Sequence, residues 1–67
     1  MNLGQIVYII SNGRIIDEAI IIKISSGFYT LKFTNKMGGT KLKAHRIYKD
    51  KKQAEYFVNK INMYYSR

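Results

Sequence analysis

The chain is predicted to be mainly β: a small five-stranded antiparallel barrel or curled meander, closed by one amphipathic C-terminal helix. Three observations predict this. Segments rich in Ile, Val and Tyr are separated by glycine-containing turns, the pattern of short strands joined by hairpins. Proline is absent, so no strand is forced to break its ladder. From about Lys51 the apolar spacing changes to a helical period and holds to about Tyr65.

The 67 residues are the scale of a single domain, 1–67, with strands over about 5–48 and the helix over about 51–65. A chain of this length buries only about 60% of its unfolded surface. With no cysteine for a disulfide, its stability has to come from packing or from a partner chain.

The first strand is expected over Gln5–Ser11, ending at Asn12-Gly13. That dipeptide suits the positive φ angles of a type I′ hairpin turn. A second strand should begin at Arg14 and run to about Ser25, with Ile20, Ile22 and Ile24 on one face and Ile21 and Lys23 on the other. Ser26-Gly27 marks the next reversal. Phe28–Thr34 alternates cleanly, with Tyr29, Leu31 and Phe33 on one side and Thr30, Lys32 and Thr34 on the other. A two-residue loop would set Ile24 opposite Tyr29, Ile22 opposite Leu31 and Ile20 opposite Phe33, so that all six share the core face.

The third turn is expected through Lys36-Met37-Gly38-Gly39, pairing Phe33 with Leu42 and Leu31 with Ala44. This register would place Lys32 directly opposite Lys43. Between Ile16 and Ile20 strict alternation would bury Glu18, so a β-bulge near Asp17–Ala19 is expected to restore the phase. Asp50 followed by Gln53 reads as a helix N-cap with its capping-box partner. Ala54, Phe57, Val58, Ile61 and Tyr65 then form one apolar stripe, suited to closing the open end of the barrel.

Charge is the strongest compositional signal: 12 Lys and Arg against 4 Asp and Glu, a formal net charge of +8. Such a chain attracts polyanions. The face opposite the core should collect Lys23, Lys32, Lys41 and Lys43, with His45 and Arg46 at its margin and Lys36 on a basic hairpin tip. These seven are the expected contacts to nucleic-acid phosphates. Tyr8, Tyr48, Tyr56 and Tyr64 are candidate planes for base stacking or for a partner protein.

The alternative is a protein-interaction module that covers an acidic protein surface, with Tyr56, Met63 and Tyr64 as its hot spot. Either way the chain reads as a DNA-, RNA- or protein-binding domain and not as an enzyme. His45 lies between basic neighbours with no acid to orient it. Asp17 and Glu18 are adjacent on a strand and therefore face opposite ways. No metal cluster or nucleotide-binding loop is present in the sequence, and no cofactor is expected. The lack of cysteine, of a signal-like N-terminus and of a long apolar run fits a cytoplasmic protein without a transmembrane segment.

Val7-Tyr8, the glycine turns, Phe28-Tyr29-Thr30-Leu31-Lys32-Phe33, and Leu42 through Arg46-Ile47-Tyr48 leading into Asp50–Glu55 together resemble the SH3-like small barrels with a C-terminal helix. Barrels of this kind occur in short bacterial, phage and mobile-element proteins. The resemblance covers most of the chain and implies a Tudor- or KOW-like barrel that binds RNA, DNA or protein. It does not extend to an aromatic cage for methylated lysine or to a groove for proline-rich peptides, since Trp is absent.

Overall fold

The computed structural model describes residues 1–65, with side chains described to residue 61. Strands β1 (Ile6–Ser11), β2 (Ile15–Ser25), β3 (Phe28–Phe33) and β4 (Gly39–Lys43) are followed by a 3-10 turn (Ala44–Arg46) and helix α1 (Lys51–Tyr65). The strands form one antiparallel meander in the order β1-β2-β3-β4. There are four strands and not the expected five. The segment expected to supply the fifth is reduced to a bridge in which Tyr8 and Tyr48 exchange backbone hydrogen bonds of 2.7 and 2.8 Å. That bridge brings the chain after β4 back to the free edge of β1. The sheet is thereby curled into a half-barrel, an architecture compatible with an SH3-like fold.

The turns follow their residues. Asn12 and Gly13 have φ of 55° and 69°, and the Arg14 amide donates to the Ser11 carbonyl at 3.1 Å, closing the type I′ turn. Pairing resumes at Ser11–Ile15, one residue later than expected. Ser26 and Gly27 take φ of 52° and 80° between the paired Ser25 and Phe28, the expected two-residue loop.

The phase of β2 differs from expectation. Ile24 does face Tyr29, but a register shift between Ile21 and Lys23 then sets Ile21 opposite Leu31 and Ala19 opposite Phe33. The bulge therefore lies at Ile22 and not at Asp17–Ala19. Ala19 and Ile21 are buried, while Ile22 is 53% exposed and Ile20 only half-buried. The acids supply the physical reason. Without the bulge, β2 would bury Glu18, which the sequence gives no partner on the core side. With it, the shorter Asp17 turns inward beside Ser11.

The register of β4 also differs. Thr30 faces Lys41, Tyr29 faces Leu42, Phe28 faces Lys43 and Lys32 faces Gly39, so neither Phe33–Leu42 nor Lys32–Lys43 is a pair. The loop starts early because Thr34 is held to β2. Its amide donates to the Glu18 carbonyl at 3.0 Å and its hydroxyl to a Glu18 carboxylate oxygen at 2.6 Å. The loop closes where the Phe33 amide donates to the Gly38 carbonyl at 3.0 Å. Gly39 permits this, since a Cβ there would overlap the Leu31 carbonyl oxygen.

Val7, Ile9, Ala19, Ile21, Leu31 and Ile47 form the buried interior, with Met1, Tyr29, Phe33 and Leu42 packed against it. Fully burying a side chain of the size of Ile21 or Leu31 stabilises by roughly 1.5–3 kcal/mol. Asp17 closes one end of this interior. Its Oδ2 accepts from the Ser11 hydroxyl at 2.7 Å and from Lys36 Nζ at 3.2 Å, the one ion pair among the described residues.

The helix does not plug the barrel's open end. Ala54 and Val58 are buried yet lie outside the interior cluster, and α1 packs on β1 and β2. By strand alternation, the face of β1 and β2 turned away from the interior carries Ile6 opposite Ile20, Tyr8 opposite Glu18 and Ile10 opposite Ile16. Helix α1 lies on that outer face, and the Phe57 ring stands 5.3 Å from that of Tyr48. Asp50 caps the helix through an oxygen that accepts from the Lys52 amide at 3.0 Å. No helix among the described residues is long and apolar enough to cross a membrane.

Candidate functional site

Strand alternation and the observed register decide which residues share the open part of the outer face. Lys23 faces Thr30, and Thr30 faces Lys41, forming one row across β2, β3 and β4. In the next row Ser25 faces Phe28 and Phe28 faces Lys43; in the row on the other side Ile20 faces Lys32 and Lys32 faces Gly39. Lys23, Lys32, Lys41 and Lys43 are thus brought onto one side of the sheet, as expected, and all four are exposed.

Correcting the β4 register changes the electrostatics of this face. No lysine stands directly opposite another, so the face escapes the roughly 0.2–1 kcal/mol that like charges cost across a strand pair. Neighbours within a row are about 5 Å apart across strands, and successive rows, i to i+2, about 7 Å apart along a strand. The ammonium groups are therefore spread over a patch instead of being stacked in one pair.

Phe28 lies among them, an aromatic that the sequence reading of the lysine face left out. Its ring centroid is 5.5 Å from Lys41 Nζ and 5.4 Å from Lys43 Nζ, and the residue is half-buried. The signal was present in the alternation: Phe28 has the parity of Thr30 and Lys32, opposite to Tyr29, Leu31 and Phe33. Contacts of this kind at exposed sites contribute roughly 0.5–1 kcal/mol each. Base stacking on an aromatic ring contributes roughly 1–3 kcal/mol. A planar ligand can therefore displace an ammonium from Phe28 and leave that lysine free for an anion.

The other expected residues are distributed differently. Lys36 is drawn away from the lysine face: it pairs with Asp17, and its Nζ lies 4.6 Å from the Phe33 ring centroid. His45 and Arg46 are exposed in the 3-10 turn immediately after Lys43. Tyr8 and Tyr48 are half-buried at the bridge beside the helix, where Tyr48 is engaged by Phe57. Tyr56 is 60% exposed on α1, edge-on to Phe57 and 6.0 Å from Lys60 Nζ. The side chains of Met63, Tyr64 and Tyr65 lie outside the described residues.

Asp17 and Glu18 point to opposite faces, Asp17 to Ser11 and Lys36, Glu18 to Thr34. Among the described residues, no three His, Asp or Glu side chains gather in a way that could hold a metal ion. The arrangement is thus a shallow cationic surface with one aromatic ring at its turn-side end, chemistry suited to a polyanion that also presents planar groups. Compared with known protein families, characterised proteins and solved structures, the chain matches none of them.

Proposed function

We propose that this chain is a non-catalytic nucleic-acid-binding domain that uses the outer face of β2, β3 and β4. The observation that carries this reading is the gathering of Lys23, Lys32, Lys41 and Lys43 on one face, with Lys41 and Lys43 beside Phe28, on a part of the sheet that no described element covers. The four ammonium groups neutralise phosphates, and His45 and Arg46 extend the positive margin. In finer terms the domain is a small SH3-like barrel of the Tudor or KOW kind, from a bacterial, phage or mobile-element protein acting in the cytoplasm. Binding is dominated by backbone phosphates and is weakly sequence-specific.

The test is fluorescence anisotropy of labelled DNA and RNA against the purified chain across a salt series. Four phosphate contacts give a log–log salt slope of roughly −3 for single strands. The double variant Lys41→Glu/Lys43→Glu is expected to weaken binding strongly and to reduce the magnitude of the slope by roughly two. A wild-type slope near zero, or an unchanged affinity in the double variant, would remove this face from consideration. Equal binding of polyglutamate would favour an acidic protein surface as the ligand, and the search would move to the exposed Tyr56 on α1.

A further inference from the structure

Phe28 is an aromatic residue on the outer side of a strand, outside the interior cluster and covered by no described element. Its neighbours on that side are Thr30 along β3, Ser25 across on β2 and Lys43 across on β4. A large apolar ring at such a place has two uses: to cover the aliphatic stems of its lysine neighbours, or to offer a plane to a ligand. What lies on the ring favours the second. Lys41 and Lys43 hold their Nζ atoms over it, 5.5 and 5.4 Å from its centroid, so its face meets long-stemmed ammonium groups that a base can displace toward its own flanking phosphates.

We propose that Phe28 is a stacking platform for an unpaired base, and that the lysine face therefore selects single-stranded over double-stranded nucleic acid; this rests on the nucleic-acid reading of the same face. The physical argument concerns what each ligand exposes. In a duplex the base faces are already stacked on one another, and only phosphates and base edges reach a protein. Against a duplex the surface works through its lysines alone, and the ring contributes nothing specific. A single strand can turn one base out onto Phe28 while its flanking phosphates meet Lys41 and Lys43 on one side and Lys23 beyond Thr30 on the other. Any base satisfies the ring, so the selection is for strandedness and not for sequence.

The experiment compares labelled oligothymidylate with a duplex of equal length, using the wild-type chain and the variants Phe28→Ala, Phe28→Leu and Phe28→Tyr. Phe28→Ala is expected to lower single-strand affinity roughly tenfold while leaving duplex affinity and the salt slope unchanged. Phe28→Tyr should retain the preference, and Phe28→Leu, apolar but without a π face, should lose it. Because the chain contains no tryptophan, Phe28→Trp places a single indole at the site, and its fluorescence should be quenched by oligothymidylate but not by the duplex. Equal weakening of both ligands by Phe28→Ala, or full single-strand affinity in Phe28→Leu, would overturn the stacking role while leaving the phosphate-binding face intact. Failure of the wild-type chain to bind either ligand would overturn the nucleic-acid reading itself.

Discussion

The outer face of the sheet has two halves that solve the same problem in opposite ways. On β1 and β2 it carries Ile6, Ile10, Ile16 and Ile20, and helix α1 covers it with Ala54 and Val58. On β3 and β4 it carries Phe28, Thr30, Lys32, Lys41 and Lys43, and no described element covers it. One half gains stability by excluding water, whereas the other keeps its cations hydrated and available. The difference teaches that substitutions on the two halves should separate into losses of stability and losses of binding.

The largest expected effect is on the covered half. Val58→Asp puts a carboxylate at a buried position under the helix and should cost roughly 3 kcal/mol or more. The readout is a large drop in the urea midpoint; a midpoint unchanged from wild type would mean that the helix does not seal this face. Next comes a backbone effect on the open half. Gly39→Ala sets a Cβ against the Leu31 carbonyl and forces β4 to shift, at a cost of roughly 1–3 kcal/mol in the same assay.

The lysine reversals Lys41→Glu/Lys43→Glu, expected to damage binding most, should each move stability by no more than roughly 1 kcal/mol, the loss of its contact with Phe28. A large destabilisation there would dissolve the contrast between the two halves. The smallest change sharpens it. Ser26 occupies the left-handed region at φ 52°, where Asn12 of the first hairpin has φ 55°. Ser26→Asn gives the second turn the Asn-Gly sequence of the first and should raise stability by about 0.5 kcal/mol, with affinity untouched.

Much of this was legible in the residues. Asn12-Gly13 and Ser26-Gly27 located two turns, Asp50 located the helix start, and the alternation of Phe28–Phe33 put the lysines on one side. What was not legible depended on choices the local pattern leaves balanced. Ile20, Ile21, Ile22 and Ile24 are nearly equal in hydrophobicity, so either phase of β2 buries isoleucine. The decision rested on whether Asp17 or Glu18 could find partners inside, and those partners, Ser11 and Lys36, come from other elements. The β4 register depended similarly on Thr34 reaching Glu18 and on Gly39 passing under Leu31, contacts that exist only once the strands are together. Phe28 is a different case: its parity with Thr30 and Lys32 carries it onto the charged face, so the strand alternation alone holds that signal.

The placement of α1 on the outside has a consequence for how the chain is made. Synthesis proceeds from the N-terminus, and each strand of the meander pairs with the one just before it. Most of the sheet can therefore form before the helix docks. During that interval Ile10, Ile16 and Ile20 face water, a sticky strip on a nascent chain. Lys32, Lys41 and Lys43 stand on the neighbouring strands, and like charge beside an apolar strip disfavours its contact with a second copy until the helix closes it.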